Sequence, residues 1–177
     1  IVVSSLVMVY LALMRTNERS ESNLRVMHRK LRYLADIDVL TRVPNRRRFH
    51  ELAGQALATS ARPPCALMMF DIDHFKRIND LLGHATGDEA LRQVARCVRD
   101  SLRTQDVAGR LGGDEFAVLL PETGVHDAMT VASRIVTRLS DRQVAPNLAP
   151  VSLSFGVVQL QVGETIRPVR RDGDRRG

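Results

Sequence analysis

The sequence is poor in aromatic residues: its 177 residues include five phenylalanines, two tyrosines and no tryptophan. Proteins bind single-stranded nucleic acids by stacking bases on exposed aromatic rings, so this composition argues against such a partner. The net charge of +6 would suit nucleic acid, but the arginines occur in separate clusters, which favours local roles over one continuous basic face. We therefore expect no binding to nucleic acid.

Cysteines are equally scarce, and they do not indicate a cysteine-bound metal. Cys65 and Cys97 are far apart and match no metal-binding spacing, so we expect reduced, buried thiols in a cytosolic domain. The chain has room for one domain of ordinary size. Its content of 44% hydrophobic residues is enough for a core.

The apolar run at the start of the chain is too short to span a bilayer. Residues 1–14 are apolar except for two serines and a tyrosine, whereas a membrane helix needs about 20 such residues. Basic residues follow from Arg15 onward, as on the cytoplasmic flank of a membrane helix. We interpret residues 1–14 as the end of a transmembrane helix. The alternative, a signal-peptide core, would be followed by a small-residue cleavage site, which the sequence does not show.

Residues 15–36 are polar and predict a linker helix. Its apolar positions are spaced by three and four residues, at Leu24, Met27, Leu31 and Leu34. This a/d pattern over two heptads leaves two interpretations open, a dimeric coiled coil or a single amphipathic helix that packs on its own domain. At the other end, residues 161–177 lack apolar periodicity and are expected to form a disordered basic tail.

The segment over residues 37–160 is expected to form the globular domain. Its helix over 125–140 is expected to bury Met129 and Val136 among other apolar residues. We predict helices over 46–60, 74–82, 88–102 and 125–140, a strand over 65–70, a hairpin of strands 107–111 and 116–120, and a strand over 151–157. This order indicates an α/β fold, an α+β sandwich with a mixed, largely antiparallel sheet flanked by helices.

The tip of the predicted hairpin carries Gly112, Gly113, Asp114 and Glu115. Two glycines permit a tight turn and let phosphates or another backbone approach closely. The two carboxylates offer hard oxygen ligands, which suit Mg²⁺ beside a nucleoside triphosphate. An isolated Gly-Gly-Asp-Glu is more often an ordinary polar turn, so other parts of the chain have to support a functional interpretation.

Further polar residues follow the buried strand over 65–70. Asp71 stands at the strand's end and Lys76 about one helical turn later, so that with the hairpin carboxylates they would form a metal–phosphate site. Asn79 and Asp88 would read a purine, because a carboxylate accepts from guanine N1–H and the exocyclic amine, and an amide offers both a donor and an acceptor. Asp73 is expected to cap the following helix. Any of these residues alone is more often a solvated polar group.

Four linked motifs occur in one order over residues 36–158: Asp38-x-Leu40-Thr41-x-x-Pro44-Asn45-Arg46-Arg47-x-Phe49, Asp71-x-Asp73-x-Phe75-Lys76-x-x-Asn79-Asp80, Gly83-His84-x-x-Gly87-Asp88 and Gly112-Gly113-Asp114-Glu115-Phe116. With these motifs the sequence resembles the GGDEF-family diguanylate cyclases, bacterial enzymes that condense two GTP molecules into cyclic di-GMP. The resemblance implies the fold of nucleotidyl cyclase and polymerase-palm-like domains.

The resemblance also implies roles for the acidic residues. Asp71 and Asp114 would hold Mg²⁺ (or Mn²⁺) with the carbonyl of Ile72. Glu115 would be a further acidic group, and Asp114 would accept the proton of the 3′-hydroxyl that attacks the α-phosphate of the other GTP. Metal ions and a lysine would neutralise the charge that develops on the phosphates, so the protein mainly positions the two GTP molecules and stabilises the transition state.

Nucleotide contacts are implied as well. Asn79 and Asp88 would read guanine, His84 would lie against the nucleotide, and Lys76 would contact phosphates near the two hairpin glycines. Each subunit would hold one GTP, so a homodimer is required for product to form. We expect the membrane segment to place the protein in the bacterial inner membrane, with a cytoplasmic catalytic domain.

A product-inhibition site is a further implication of the resemblance. Arg103-x-x-Asp106 stands at the family's spacing before Gly112, and an arginine fork suits phosphates and guanine edges. The alternative is an ordinary surface pair at a helix end.

The sequence departs from the family's pattern after Gly156. The family usually continues with a helix and a last strand, and residues 161–177 match neither. We therefore expect a truncated or frameshifted ending, whose missing helix would leave an apolar sheet face exposed. Three interpretations stay open: an active cyclase, a non-catalytic module that binds GTP or cyclic di-GMP, and a fragment that folds poorly. A polymerase-like or adenylyl cyclase-like enzyme is disfavoured by the guanine-reading set.

Overall fold

The computed structural model describes residue 27 and residues 35–59, 64–142 and 151–160. The chain divides into two units, Ile1–Asp36 and Ile37–Gly177, and the fold described below belongs to the second. The predicted membrane segment, the tail over 161–177 and all but three residues of the predicted linker helix lie outside the described residues. Within the described part of the chain, no helix has the length and apolarity needed to cross a membrane.

The second unit is built from helices and one antiparallel sheet. In chain order its described elements are α1 Arg46–Thr59, β1 Cys65–Ile72, α2 Phe75–Leu82, α3 His84–Arg99, β2 Val107–Gly112, β3 Glu115–Leu120, α4 Val125–Ser140 and β4 Leu153–Leu160. The strand order is β2-β3-β1-β4, and each pairing between these strands is antiparallel. The predicted α+β class is confirmed.

Alternation along the strands explains why helices pack on both faces of the sheet. In β1, Met68 and Phe70 point to a core face that is covered by α3 and α4, and Phe70 stacks on Phe116 of β3 with ring centroids 5.5 Å apart. On the opposite face, Phe49 of α1 packs with Leu119 of β3 in a smaller cluster. The sheet is therefore a middle layer, and its strand ends form the rims where functional groups can collect.

Helix α3 begins earlier and ends earlier than the sequence predicts. Its first residue is His84 and its last is Arg99, whereas we expected a helix over 88–102. Gly83, with φ of +82°, ends α2, and its carbonyl accepts the N–H groups of Thr86 and Gly87. The next helix therefore starts at once, and His84 and Asp88 lie in its first turns.

The burial predicted for α4 is partly wrong. Met129 and Val136 are 48% and 42% exposed, while Ala128 is fully buried. The row of residues 128, 132, 135 and 139 faces the sheet, and positions 129 and 136 lie about 100° further round the helix. The two buried cysteines, by contrast, are as expected: Cys65 and Cys97 are both free and buried, and burial raises the pKa of both thiols.

Candidate active site

The Gly-Gly-Asp-Glu segment forms the tip of the β2–β3 hairpin. Gly112 pairs with Glu115, which leaves Gly113 and Asp114 as the two residues of the turn. The φ angles of Gly112 and Gly113 are +149° and +54°, conformations that residues with a side chain rarely adopt. A Cβ on either glycine would meet no heavy atom within 4 Å. The glycines therefore serve the turn conformation, and they leave the tip open to an incoming molecule.

The register of the sheet brings a third carboxylate to the same rim. Phe70 of β1 pairs with Phe116 of β3. Because the strands are antiparallel, Asp71 follows this pair on one strand and Glu115 precedes it on the other, so both stand at the same end of the sheet. Asp71 is exposed, and Asp114 and Glu115 are half-buried. The structure thus places the predicted acidic residues on neighbouring strand ends.

The oxygens at this rim fit a divalent cation that is bound jointly with a phosphate. Mg²⁺ usually takes one or two carboxylates from a protein and fills its octahedral shell with waters and substrate phosphates. Asp71 and Asp114 offer two carboxylates, and the predicted carbonyl ligand belongs to Ile72, the last residue of β1. Among the described residues, no three His, Cys, Asp or Glu side chains are grouped to hold a metal by themselves. The rim therefore suits a metal–nucleotide complex better than an all-protein metal site.

The predicted guanine-reading residues lie on the neighbouring helices α2 and α3. A Cβ on Gly87 would lie 2.0 Å from Asn79 Oδ1 and 2.9 Å from Asn79 Cγ, so the Asn79 amide rests directly against the α3 backbone. Asp88 is the next residue of that helix, and its Oδ2 lies 4.0 Å from the Arg92 guanidinium. The close approach at Gly87 thereby brings Asn79 beside the helical turn that carries Asp88.

The other two predicted nucleotide contacts are accessible. His84 is the first residue of α3, and Lys76 is the second residue of α2; both side chains are exposed. Lys76 lines an open groove of about 520 Å³ together with His74, Arg77, Asp80 and Leu81. The two cationic lining residues, Lys76 and Arg77, outnumber the one acidic residue, Asp80, which suits an anionic ligand.

Asp73 has a different role from the predicted helix cap. The residue before α2 is His74, in a left-handed conformation and with no side-chain capping bond. The Asp73 carboxylate instead accepts a hydrogen bond from Ser154 Oγ at 2.6 Å. Bonds from Ser152 and Ser154 hold the pKa of Asp73 below its ordinary value. Asp73 thus ties the end of β1 to β4, next to Asp71 and Ile72.

The Arg103–Asp106 segment forms a turn after α3. Asp106 Oδ2 accepts the main-chain N–H of Arg103 at 2.8 Å, and the Asp106 N–H donates to the Arg103 carbonyl at 3.1 Å. The Arg103 side chain is exposed. The carboxylate is therefore held by the backbone, which leaves the arginine fork accessible to a ligand.

Arg134 of α4 lies beside this turn, and its only feature in the sequence is a polar position on a predicted helix. Its Nη2 donates to the carbonyl of Ser101 at 2.5 Å. Burial raises the pKa of Asp106, and the charges of Arg103 and Arg134 offset only part of this effect. Asp106 Oδ1 and Ser101 Oγ are buried without a hydrogen-bond partner. Two arginines and two unpaired polar atoms thus converge on one small area.

Residues 35–175 match the family model described as diguanylate cyclase, GGDEF domain. Among curated relatives, the diguanylate cyclase TpbB of Pseudomonas aeruginosa is 37% identical over 167 residues, which are 91% of this chain and 37% of TpbB. The cyclic di-GMP phosphodiesterase NbdA of the same organism is 40% identical over 152 residues, which are 84% of this chain and 18% of NbdA. The chain thus spans less than two fifths of the length of these relatives.

A solved structure has the same fold over most of both chains. The coiled coil and GGDEF domain of DgcB from Caulobacter crescentus, crystallised in complex with c-di-GMP, matches with a TM-score of 0.80 at 28% identity. The match covers 87% of this chain and 84% of the DgcB chain. The family model, the relatives and the fold agree, and the chain belongs to the GGDEF domain family of diguanylate cyclases.

Proposed function

We propose that this chain carries the catalytic domain of a diguanylate cyclase, which condenses two GTP into cyclic di-GMP and releases two pyrophosphates. The observation that carries the proposal is the convergence of Asp71, Asp114 and Glu115 on one rim of the sheet, beside an open glycine turn. TpbB, which is similar to this chain, is named as a diguanylate cyclase.

In the proposed reaction, the 3′-hydroxyl oxygen of one GTP forms a bond to the α-phosphorus of the other. The bond between that phosphorus and the oxygen bridging to the β-phosphate breaks, and pyrophosphate leaves. A divalent ion held by Asp71, Asp114 and the Ile72 carbonyl would supply charge neutralisation at the phosphates. Asp114 takes the hydroxyl proton, and Lys76 stabilises phosphate charge.

Substrate selection would rest on α2 and α3. Asn79 and Asp88 contact the guanine edge, and His84 lies against the nucleotide. One domain holds one such set and therefore one GTP, so two domains must face each other before both bonds of the cyclic product can form. A homodimer assembled through the linker over 15–36 and anchored by the segment over 1–14 would provide this encounter.

The turn at Arg103 and Asp106 would bind the product and inhibit the enzyme. Arg103 of this turn and Arg134 of α4 suit the two phosphates of cyclic di-GMP. Asp106 Oδ1 and Ser101 Oγ, which are buried without a partner, would gain hydrogen bonds on binding. Arg103→Ala is expected to relieve inhibition by added product, and inhibition equal to that of the wild type would refute this assignment.

A second candidate is a domain that binds GTP or cyclic di-GMP without turnover. It is favoured by NbdA, which is similar to 84% of this chain but is named as a phosphodiesterase. The carboxylates at the hairpin argue for catalysis, because a binding module has no need of both Asp114 and Glu115.

The deciding experiment uses the full 177-residue chain in detergent, with GTP and Mg²⁺, and detects cyclic di-GMP by mass spectrometry. We expect product from the wild type, a loss of about a hundredfold or more in Asp114→Asn, and full activity in Asp127→Asn. Asp127 is an exposed acid in the first turn of α4 and serves as the matched control. Binding of GTP without product would overturn the cyclase proposal and favour the binding module.

A further inference from the structure

The guanidinium of Arg110 joins the hairpin tip to a distant loop. Arg110 lies on β2, two residues before Gly112, and its side chain is 14% exposed. Its Nε and Nη2 donate to the carbonyl oxygen of Gly113 at 2.9 and 2.7 Å. Its Nη1 donates to Asp38 Oδ1 at 3.0 Å. One planar fork therefore holds a turn carbonyl and a carboxylate at the same time.

Asp38 is itself held firmly in the loop that precedes α1. Its Oδ1 accepts the N–H of Thr41 at 2.9 Å and the Thr41 hydroxyl at 2.6 Å. Burial raises the pKa of Asp38, but the bonds from Thr41 and Arg110 outweigh it and leave the pKa below its ordinary value. The carboxylate is thus an ionised, well-directed acceptor for Arg110.

The rest of this loop is fastened to the domain on two sides. Arg99 Nη1 donates to the Thr41 carbonyl at 3.1 Å, which ties the loop to the end of α3. The Arg110 N–H donates to the Pro44 carbonyl at 2.9 Å, which ties it to β2. The position of Asp38 is therefore determined by the domain and does not depend on Arg110 alone.

The turn that Arg110 holds consists of Gly113 and Asp114, between the paired residues Gly112 and Glu115. Gly112 and Gly113 have great backbone freedom, and a Cβ on either would meet no heavy atom within 4 Å. The bonded oxygen belongs to the peptide unit between Gly113 and Asp114. Since a peptide unit is planar, fixing its oxygen also restricts where the Cα of Asp114 lies.

We propose that Arg110 is a positioning residue for Asp114, and that Asp38 holds Arg110 in the orientation this requires. The inference rests on the proposed cyclase function, because Asp114 is the group whose position matters there. Catalytic groups misplaced by about 1 Å can lose about a hundredfold in rate. Without the fork, the glycine turn samples other conformations, and catalysis falls while the nucleotide contacts on α2 and α3 persist.

The test compares Arg110→Lys with Arg142→Lys in the full chain. Lysine keeps the positive charge but has no planar fork, so it cannot hold both Gly113 and Asp38. Arg142 forms an ion pair with Asp100 at 3.2 Å at the ends of α3 and α4, and its replacement is the control. The measurements are kcat and KM for GTP, and hydrogen exchange of the peptide that spans residues 112–116.

For Arg110→Lys we expect kcat to fall about tenfold or more, KM to change less than about threefold, and exchange at the hairpin peptide to rise by about tenfold. Arg142→Lys should match the wild type in all three quantities. In the Arg110→Lys background, Asp38→Asn should add no further increase in exchange, because the two residues act as one unit. Wild-type kcat and exchange in Arg110→Lys would overturn the proposal.

Two further outcomes separate the inference from the cyclase proposal. If the wild type makes no product but Arg110→Lys still raises exchange at the hairpin, the cyclase proposal fails and the positioning of the turn stands. If Arg110→Lys does not fold, Asp38→Asn alone is measured. A fall in kcat of about threefold or more, with raised exchange at residues 112–116, is then expected, and unchanged values refute the inference.

Discussion

Replacing Gly87 with alanine should weaken GTP binding without removing any group that contacts the nucleotide. The new Cβ would lie 2.0 Å from Asn79 Oδ1, 2.9 Å from Asn79 Cγ and 3.3 Å from a ring carbon of Phe75. Restoring an ordinary contact of 3.4 Å moves the amide oxygen by about 1.4 Å, since the backbone of α3 cannot retreat from a packed core. A single methyl group therefore displaces the Asn79 amide, which we propose contacts guanine.

Two opposing terms set the effect on stability. Alanine in a helix is favoured over glycine by about 1 kcal/mol, and overpacking costs about 1–3 kcal/mol. The Asn79 amide is the end of a side chain and can swing away, so we expect a net loss of about 0–2 kcal/mol in the free energy of unfolding. The displaced amide loses a hydrogen bond to guanine worth about 1–2 kcal/mol, or about five- to thirtyfold in Kd.

The assay is calorimetric titration with Mg²⁺ and a GTP analogue whose α- and β-phosphates are joined by a methylene group, which blocks turnover. Urea unfolding gives the stability of each variant. Gly54→Ala is the matched control, because Gly54 lies in the exposed part of α1 and its new Cβ would meet nothing within 4 Å. It should stabilise the protein by about 0.5–1 kcal/mol and leave Kd unchanged.

A double-mutant cycle with Asn79→Ala tests the reasoning directly. Once the amide is removed, Gly87→Ala should no longer weaken analogue binding, and it should stabilise the protein much as Gly54→Ala does. If Gly87→Ala lowered affinity equally with and without the Asn79 amide, displacement of that amide would not be the cause. An unchanged Kd in Gly87→Ala alone would refute the link between helix packing and guanine recognition.

Three further predictions concern the scaffold. Gly109→Ala places a Cβ 2.6 Å from Phe49 Cβ in a buried cluster, so the urea midpoint should fall by the equivalent of about 1–3 kcal/mol; an unchanged midpoint contradicts this. Arg42 has a φ of +61°, so Arg42→Gly should raise the free energy of unfolding by about 0.5–1 kcal/mol, and a loss would show that its side chain matters more than its backbone. The pKa of Asp38 is lowered in the folded protein, so the ionised carboxylate stabilises the fold at pH values above the ordinary pKa of aspartate, and this stabilisation is lost as the pH falls below that value. The difference in unfolding free energy between the wild type and Asp38→Asn should therefore narrow from pH 7 to pH 3, and a constant difference would refute this prediction.

Features set by neighbouring residues could be predicted from the sequence. The glycine pair between two apolar runs predicts the hairpin, and the helix over 125–140 has the bounds of α4. The start of α3 could not be predicted in this way, because Gly83 caps both the end of α2 and the start of α3, with no loop between the two helices. Periodicity predicted the existence of α4 but not which of two adjacent apolar rows, through Ala128 or through Met129, faces the sheet.

Contacts between distant residues could not be predicted in this way. Arg110 and Asp38 are 72 positions apart, and Arg134 and Ser101 are 33 apart. Each of these arginines has the appearance of a solvated charge in the sequence, since nothing local distinguishes a paired guanidinium from a free one. Gly87 precedes the helix predicted over 88–102 but lies inside α3 in the structure, so its close packing against Asn79 is known only from the fold.

The aromatic core also determines which carboxylates meet at the rim. Phe70 stacks on Phe116 and packs against Phe155, so β3, β1 and β4 share one register. Side chains alternate along a strand, and a slip of one residue between β1 and β3 would turn Phe70 out of the core and carry Asp71 into it. Burying an unpaired carboxylate costs several kcal/mol, so the slipped register is strongly disfavoured. The rings thus keep Asp71 and Glu115 on adjacent strands at the same rim, and the hydrophobic core sets the geometry of the proposed catalytic site.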